Sequence, residues 1–177
     1  YSALALTDEC SFAGVVRAWQ AAKAQALRLI VGTEVALADG PRLVLLATDR
    51  GGYGRLASLI TTGRRRGRKG AYRLLREDLD DGLPGCLALL PASGDGAAAQ
   101  AGGCEPATGE PSRRPSSFPG AAGLGDTDVL AQVAGRFAGR AWLAVGMFRD
   151  GRDRARLARA RALGRALDLP LVAAGDV

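Results

Sequence analysis

The chain has 177 residues, of which 47% are hydrophobic and 5% aromatic, and its net charge is +6. This length is enough for one domain with a hydrophobic core, while three cysteines without CxxC spacing argue against both a disulfide framework and a zinc finger. The same cysteine pattern makes the reduced cytosol the expected location. The sequence has no apolar run of the roughly 18 residues that a membrane span needs, so we expect no membrane partner.

The start of the chain has the pattern of a β-α-β unit. A short buried strand is predicted at residues 3–6, a helix at 13–26 and a second strand at 29–31. The predicted apolar stripe of the helix consists of Val15, Trp19, Ala22 and Ala26. Two strands and a helix within about thirty residues indicate a parallel pair joined by a right-handed crossover.

The rest of the chain alternates strands and helices around one segment of different composition. The pattern predicts a hairpin at 35–47, helices at 53–62, from 126 and at 150–167, one helical turn at 76–79, and strands at 86–90, 141–147 and 171–174. Residues 91–125 are rich in Gly, Ala, Ser and Pro and predict a disordered insertion. The prediction is therefore one α/β domain, formed by residues 1–90 and 126–177 and interrupted at 91–125. Because the chain begins without Met and stops directly after a predicted strand, we expect truncation at both ends.

Carboxylates follow three of the predicted strands. Asp8 and Glu9 come after the first strand, Glu34 after the second and Asp176 after the last. The carboxyl ends of parallel strands lie at one edge of a sheet, where carboxylates suit hard divalent cations. The alternative is that Asp8 or Glu9 caps the helix that follows. The sequence has no histidine, so the mixed nitrogen and oxygen shell of zinc or manganese hydrolases is excluded.

A run of basic residues follows the helix predicted at 53–62. It consists of Arg64, Arg65, Arg66, Arg68 and Lys69. Such a run is able to neutralise the phosphates of a nucleic acid, although without interleaved aromatic residues it does not predict base stacking. The alternative is a solvated surface loop.

Two other features predict structure rather than chemistry. The glycines of residues 51–54 match neither the GxxxxGK[ST] nor the GxGxxG phosphate-binding pattern, and predict a turn and a helix start. Cys10 has no histidine or other obvious base to activate it, and we expect a small buried residue.

Beyond these features, the sequence resembles a known domain in several colinear blocks. Residues 3–11 (Ala-Leu-Ala-Leu-Thr-Asp-Glu-Cys-Ser) resemble the PHP (polymerase and histidinol phosphatase) domain of bacterial error-prone DNA polymerases of the polymerase III alpha-subunit type. Further matching blocks lie at residues 13–18, 29–34, 40–50, 83–89 and 171–177. The resemblance implies an incomplete, distorted parallel β/α barrel with metal ligands at the strand ends.

The resemblance also implies roles for the strand-end residues. Asp8 matches an acidic ligand of the family, Glu34 the carboxylate of a GxE motif and Asp176 the Asp of a late DxH motif, while Glu9 stands where many PHP proteins carry His. A divalent metal (Zn, Mn or Mg) is expected in the intact family domain.

Several ligands of the family pattern are missing. Trp19 stands at a position usually occupied by His and Gly146 at a position where an acidic residue is expected, and the HxH strand and the last His of the family would fall outside residues 1–177. We therefore expect the metal site of Asp8, Glu9, Glu34 and Asp176 to be vestigial, with no metal bound by this chain.

The function implied by the resemblance is that of a fragment of an error-prone DNA polymerase of damage-tolerant, translesion synthesis. The polymerase core is absent from the sequence, so the fragment itself is expected to be non-catalytic. Expected partners are DNA, through the parent polymerase, and other subunits of a translesion complex. Two alternatives remain: a metal-dependent PHP phosphoesterase or 3′–5′ exonuclease, and a non-catalytic basic module that binds nucleic acid through the basic run and the arginines of the predicted helix at 150–167.

Overall fold

One mixed β-sheet lies at the centre of the fold. The structure is a computed structural model that describes residues 2–92, 124–149 and 151–174. Its strands are β1 (Ala3–Leu6), β2 (Arg28–Ala36), β3 (Arg42–Ala47), β4 (Cys86–Pro91), β5 (Ala141–Val145) and β6 (Leu171–Ala173). The helices are α1 (Val15–Ala24), α2 (Arg50–Arg66), α3 (Leu124–Arg136) and α4 (Asp153–Leu167), together with a 3-10 helix at Arg76–Leu79. The strands lie side by side in chain order, with β1 and β6 at the edges.

The predicted α/β fold is confirmed, with both parallel and antiparallel strand pairs. β1 and β2 are parallel and are connected through α1, as the β-α-β pattern predicts. β3 is antiparallel to both β2 and β4, while β4, β5 and β6 are parallel to one another. The antiparallel part arises from the hairpin at residues 35–47, because a short connection forces the chain to reverse.

β2 is longer than the strand predicted at residues 29–31, and Glu34 lies inside it rather than after its end. Residues 32–36 continue the strand because they pair with β3, from Gly32 opposite Leu46 to Ala36 opposite Arg42. The apolar run thus marks only the half of β2 that pairs with β1.

α2 extends beyond its predicted bounds at both ends. It begins after Asp49, whose Oδ1 accepts a 2.7 Å hydrogen bond from the backbone N–H of Gly52 and so caps the helix. The helix continues through the first three arginines of the basic run and ends at Gly67. The predicted end at residue 62 is too early, since arginine is a good helix former and basic side chains are favourable in a last turn.

One face of the sheet is buried against helices, as the alternation along the strands shows. Leu43 and Leu45 of β3 are buried while Val44 and Leu46 are half-exposed, and β4 and β5 alternate in the same way. The largest fully buried side chains include Tyr72, Phe137, Leu43, Leu45, Leu56, Leu74, Leu79, Leu90 and Leu143. Phe137, which directly follows α3, and Leu143 from β5 belong to the same core cluster as Leu43 and Leu56, so both parts of the chain share one core.

Two single-residue predictions have different outcomes. Cys10 is fully buried, which confirms the predicted small buried residue. Trp19 is 55% exposed, so its predicted place in the buried stripe of α1 is wrong, and the buried residue of this helix is Ala22. The predicted disordered insertion at 91–125 falls almost wholly on residues 93–123, which lie outside the described ranges.

Candidate functional site

Asp8 lies directly after β1, and its carboxylate binds the backbone at the start of the next helix. Asp8 Oδ2 accepts a 3.0 Å hydrogen bond from the N–H of Gly14, the residue that precedes α1. A Cβ atom on Gly14 would lie 3.2 Å from this oxygen, so the glycine permits the close approach. Gly14 holds the N-cap position of α1 and receives no side-chain cap, so Asp8 binds the backbone just before the helix instead of capping it as the sequence alternative proposed.

Glu9 and Glu34 lie beside each other across an isolated parallel bridge that follows the β1–β2 pairing. The N–H of Glu34 donates to the carbonyl of Asp8 at 3.2 Å, and the N–H of Cys10 donates to the carbonyl of Glu34 at 2.8 Å. The buried hydroxyl of Thr33 also donates to the carbonyl of Asp8, at 2.8 Å. These backbone bonds bring two of the predicted carboxylates together on one side of the sheet.

Arg42 of β3 lies between these two carboxylates. Its Nη1 is 2.6 Å from Oε1 of Glu34, and its Nη2 is 3.7 Å from Oε1 of Glu9. The strand register explains the contact, since Glu34 pairs with Val44 and Arg42 lies two residues away on the same face of β3. Burial lowers the pKa of Arg42, but the hydrogen bond to Glu34 and the negative charges of Glu34 and Glu9 more than offset this, so the net pKa is raised.

Tyr72 is the fourth residue of this group and contacts Glu9. Its side chain is buried, and its hydroxyl donates a 2.9 Å hydrogen bond to Oε1 of Glu9. The same hydroxyl oxygen accepts a 2.9 Å hydrogen bond from the N–H of Ala36. We call Glu9, Glu34, Arg42 and Tyr72 the strand-end cluster.

Two residues of the basic run make internal contacts. Arg64 donates from Nε to the carbonyl of Cys10 at 3.1 Å and from Nη2 to the carbonyl of Glu9 at 3.2 Å, and its guanidinium lies 5.4 Å from the centre of the Tyr72 ring. Arg66 binds both carboxylate oxygens of Asp78 at 2.7 and 2.8 Å.

The other members of the predicted nucleic-acid site are Arg65, Arg68 and Lys69, and all three are exposed. A second basic surface lies on α4, where Arg154, Arg161 and Arg165 are exposed. Their spacing of seven and four residues places them along one side of the helix.

The described residues do not fit a divalent metal ion. Asp8 is turned towards the N–H of Gly14, and Glu9 and Glu34 share the guanidinium of Arg42. Among residues 2–92, 124–149 and 151–174, no group of three or more His, Cys, Asp or Glu side chains is arranged to hold a metal. Asp176, the fourth predicted ligand, lies outside these residues.

Sequence reasoning missed Arg42, Tyr72 and Arg64 as members or neighbours of this site. A signal for Arg42 was present, because the predicted hairpin brings it close to Glu34 once the register is known. Tyr72 and Arg64 carry no such signal, since they reach the site from segments distant in sequence, separated from Glu9 by 63 and 55 residues.

The comparison with protein families gives a match that covers more than half of the chain. The PHP domain model matches residues 1–103. The chain belongs to the PHP domain family. A crystal structure of a protein assigned as a metal-dependent phosphoesterase, from Bifidobacterium adolescentis, superposes on 97% of this PHP chain and on 76% of its own length, with a TM-score of 0.55 and 12% identity. That likeness confirms the PHP-type α/β fold.

The PHP chain is also similar along its whole length to curated proteins named error-prone DNA polymerase. It is 46% identical over 177 residues to the one from Pseudomonas paraeruginosa, 44% over 178 residues to that from Methylococcus capsulatus, and 43% over 182 residues to that from Dechloromonas aromatica. All of this chain is covered in each comparison, but only 14% to 15% of the relatives' length. Within the described ranges, none of the helices has the length and apolar character required to cross a membrane.

Proposed function

We propose that this chain is part of the PHP domain of an error-prone DNA polymerase that adds nucleotides to DNA during damage-tolerant synthesis. The observation that carries the proposal is 46% identity across all 177 residues to a protein of that name. Because the chain spans about a seventh of that relative, nucleotide addition is assigned to the parent protein rather than to this segment. DNA repair, a cytoplasmic location and contacts with other subunits of a translesion complex belong to the same proposal.

Within the parent, the role that we propose for this chain is that of a non-catalytic scaffold. The pairing of β4 with β5 supports a single domain formed by residues 1–90 and 126–177 around the segment at 91–125. The strand-end cluster supports a structural role, because its carboxylates bind a tyrosine hydroxyl and an arginine, and the neighbouring Asp8 binds the backbone just before α1.

Primer extension by the full-length protein tests the polymerase assignment. On a primed DNA template with an abasic site, we expect template-directed addition both before and opposite the lesion, in the presence of Mg²⁺. The control is the 177-residue chain alone, which is expected to add no nucleotide. A full-length protein that adds no nucleotide to undamaged template would contradict the assignment.

The first alternative is a metal-dependent phosphoesterase or 3′–5′ exonuclease. It is favoured by the fold, which resembles that of a protein assigned as a metal-dependent phosphoesterase. The absence of histidine from the sequence and the contacts of Arg42 argue against it. We therefore expect no hydrolysis at this site.

The second alternative is binding of nucleic-acid phosphates by the basic surfaces. Its support is the exposed row of Arg154, Arg161 and Arg165, which spans about 16 Å at the helical rise of about 1.5 Å per residue. If all three contact phosphates of duplex DNA, replacing them with glutamine lowers the slope of log K against log salt by about 2–3. Arg66→Gln is the matched control because its guanidinium is bound to Asp78. An unchanged slope in the triple variant would exclude this surface.

A further inference from the structure

The strand-end cluster holds two carboxylates and one guanidinium on the same face of three neighbouring strand segments. The bridge between Glu9 and Glu34 places these residues side by side, and the β2–β3 register brings Arg42 diagonally across from Glu34. The side chains of Glu9 and Glu34 are 30% and 31% exposed, so water reaches them only in part. Two carboxylates in such a position repel each other unless a cation lies close to both.

Arg42 supplies that cation from within the fold. Its contact of 2.6 Å with Glu34 is a short, charge-assisted hydrogen bond. The guanidinium remains protonated at all physiological pH values, and the hairpin fixes its position relative to the carboxylates. The hydroxyl of Tyr72 binds the same oxygen of Glu9 that faces Arg42, so the Oε1 atoms of both glutamates already have partners within the fold.

A divalent cation at this place would have to compete with the guanidinium for Oε1 of both glutamates. The two cations also repel each other, so both are not able to occupy the gap. We propose that Arg42 is a built-in cation that takes the place of a divalent metal ion between Glu9 and Glu34 and keeps the strand-end cluster closed to metal.

An ordinary surface ion pair would not have this effect, and the chain offers one for comparison. Arg76 contacts Asp39 at 3.2 Å, with both side chains about one third exposed. Within the described residues Arg76 contacts one carboxylate, whereas Arg42 contacts two. Replacing Arg76 therefore does not free a pair of carboxylates that is able to bind a metal ion. Arg76→Gln is therefore the matched control for Arg42→Gln.

Terbium luminescence tests the proposal on the full-length protein. Tyr72 is hydrogen-bonded to Glu9, so its ring is placed to sensitise a Tb³⁺ ion held by the two carboxylates. We expect Arg42→Gln to gain saturable, tyrosine-excited luminescence, with an affinity at least about tenfold tighter than that of the wild type at this site. The gain should disappear in the double variant Arg42→Gln/Glu34→Gln and should not occur in Arg76→Gln.

Two results would overturn the proposal. One is a folded Arg42→Gln protein, judged by near-UV circular dichroism, without added luminescence. The other is a wild-type signal that Glu34→Gln removes, because the site would then bind the ion with Arg42 in place. The comparison of wild type with Glu34→Gln does not need the Arg42 variant, so it tests the proposal even if that variant fails to fold. Equal luminescence from wild type and Glu34→Gln would uphold the proposal.

Discussion

Arg64 is expected to stabilise the fold although it belongs to an exposed basic run. Its guanidinium joins the last turn of α2 to the segment after β1 through the carbonyls of Cys10 and Glu9, and it lies over the ring of Tyr72. Arg64→Ala removes these two hydrogen bonds, two longer ones from Nη1 to the carbonyls of Gly70 and Ala71 at 3.3 and 3.5 Å, and the ring contact, while leaving the helix backbone intact.

The contacts set the size of the expected effect. Each hydrogen bond contributes about 0.5–1.5 kcal/mol net, and an exposed contact between a cation and a ring contributes about 0.5–1 kcal/mol. Ordering the long side chain costs about 1.5–2 kcal/mol. We therefore expect Arg64→Ala to lower the free energy of unfolding by about 1–2 kcal/mol.

Urea unfolding followed by circular dichroism measures this difference. With an m value of about 1.5 kcal/mol/M, the midpoint should fall by about 1 M. Arg65→Ala is the matched control, since Arg65 is the next residue, is exposed and has no hydrogen bond or ion pair recorded within the described ranges. Its effect should stay within about 0.5 kcal/mol. Equal midpoints for the two variants would refute the structural role of Arg64.

Three further predictions concern buried or close-packed positions. Tyr72→Phe should lower the free energy of unfolding by about 1–2 kcal/mol, because the hydroxyl that binds Glu9 is lost from a buried position; an unchanged urea midpoint would contradict the contact. Gly52→Ala should destabilise the chain because the new Cβ would overlap a backbone carbonyl. Gly54→Ala, with open space around it, should stabilise α2 by about 0.5–1 kcal/mol. Urea midpoints that shift in the same direction for both variants would be inconsistent with this packing. Burial raises the pKa of the Cys86 thiol from 9.0 to about 11. Because the unfolded thiol ionises first, the stability that this group contributes is complete below about pH 9 and is lost as the pH rises to about 11. Cys86→Ala should remove that part of the pH dependence, and an unaltered profile would argue against a buried neutral thiol.

Local patterns predicted most of the fold. Apolar runs located β1, β4, β5 and β6, because a buried strand needs little more than consecutive or alternating apolar residues. They failed for the second half of β2, where Gly32, Thr33 and Glu34 pair with β3 and have no apolar signature. They also failed for the end of α2, because the apolar pattern stops at residue 62 while Arg64, Arg65 and Arg66 continue the helix.

The candidate site was only partly predictable for a related reason. The sequence indicated that Glu9 and Glu34 converge, because both are linked to the ends of neighbouring parallel strands. It did not indicate what binds them, since Arg42 depends on the hairpin register and Tyr72 on a tertiary contact across 63 residues. The resemblance pointed to Glu9 and Glu34, whereas their contact with Arg42 depends on side-chain geometry.

We expect this PHP domain not to hydrolyse phosphoesters at Asp8, Glu9 and Glu34. The most direct measurement is release of nucleotides from the 3′ end of labelled DNA by the full-length protein with Mn²⁺ or Zn²⁺, compared with the Asp8→Ala variant. We expect no metal-dependent release by the wild type above that of Asp8→Ala. Metal-dependent turnover that Asp8→Ala abolishes would contradict this expectation.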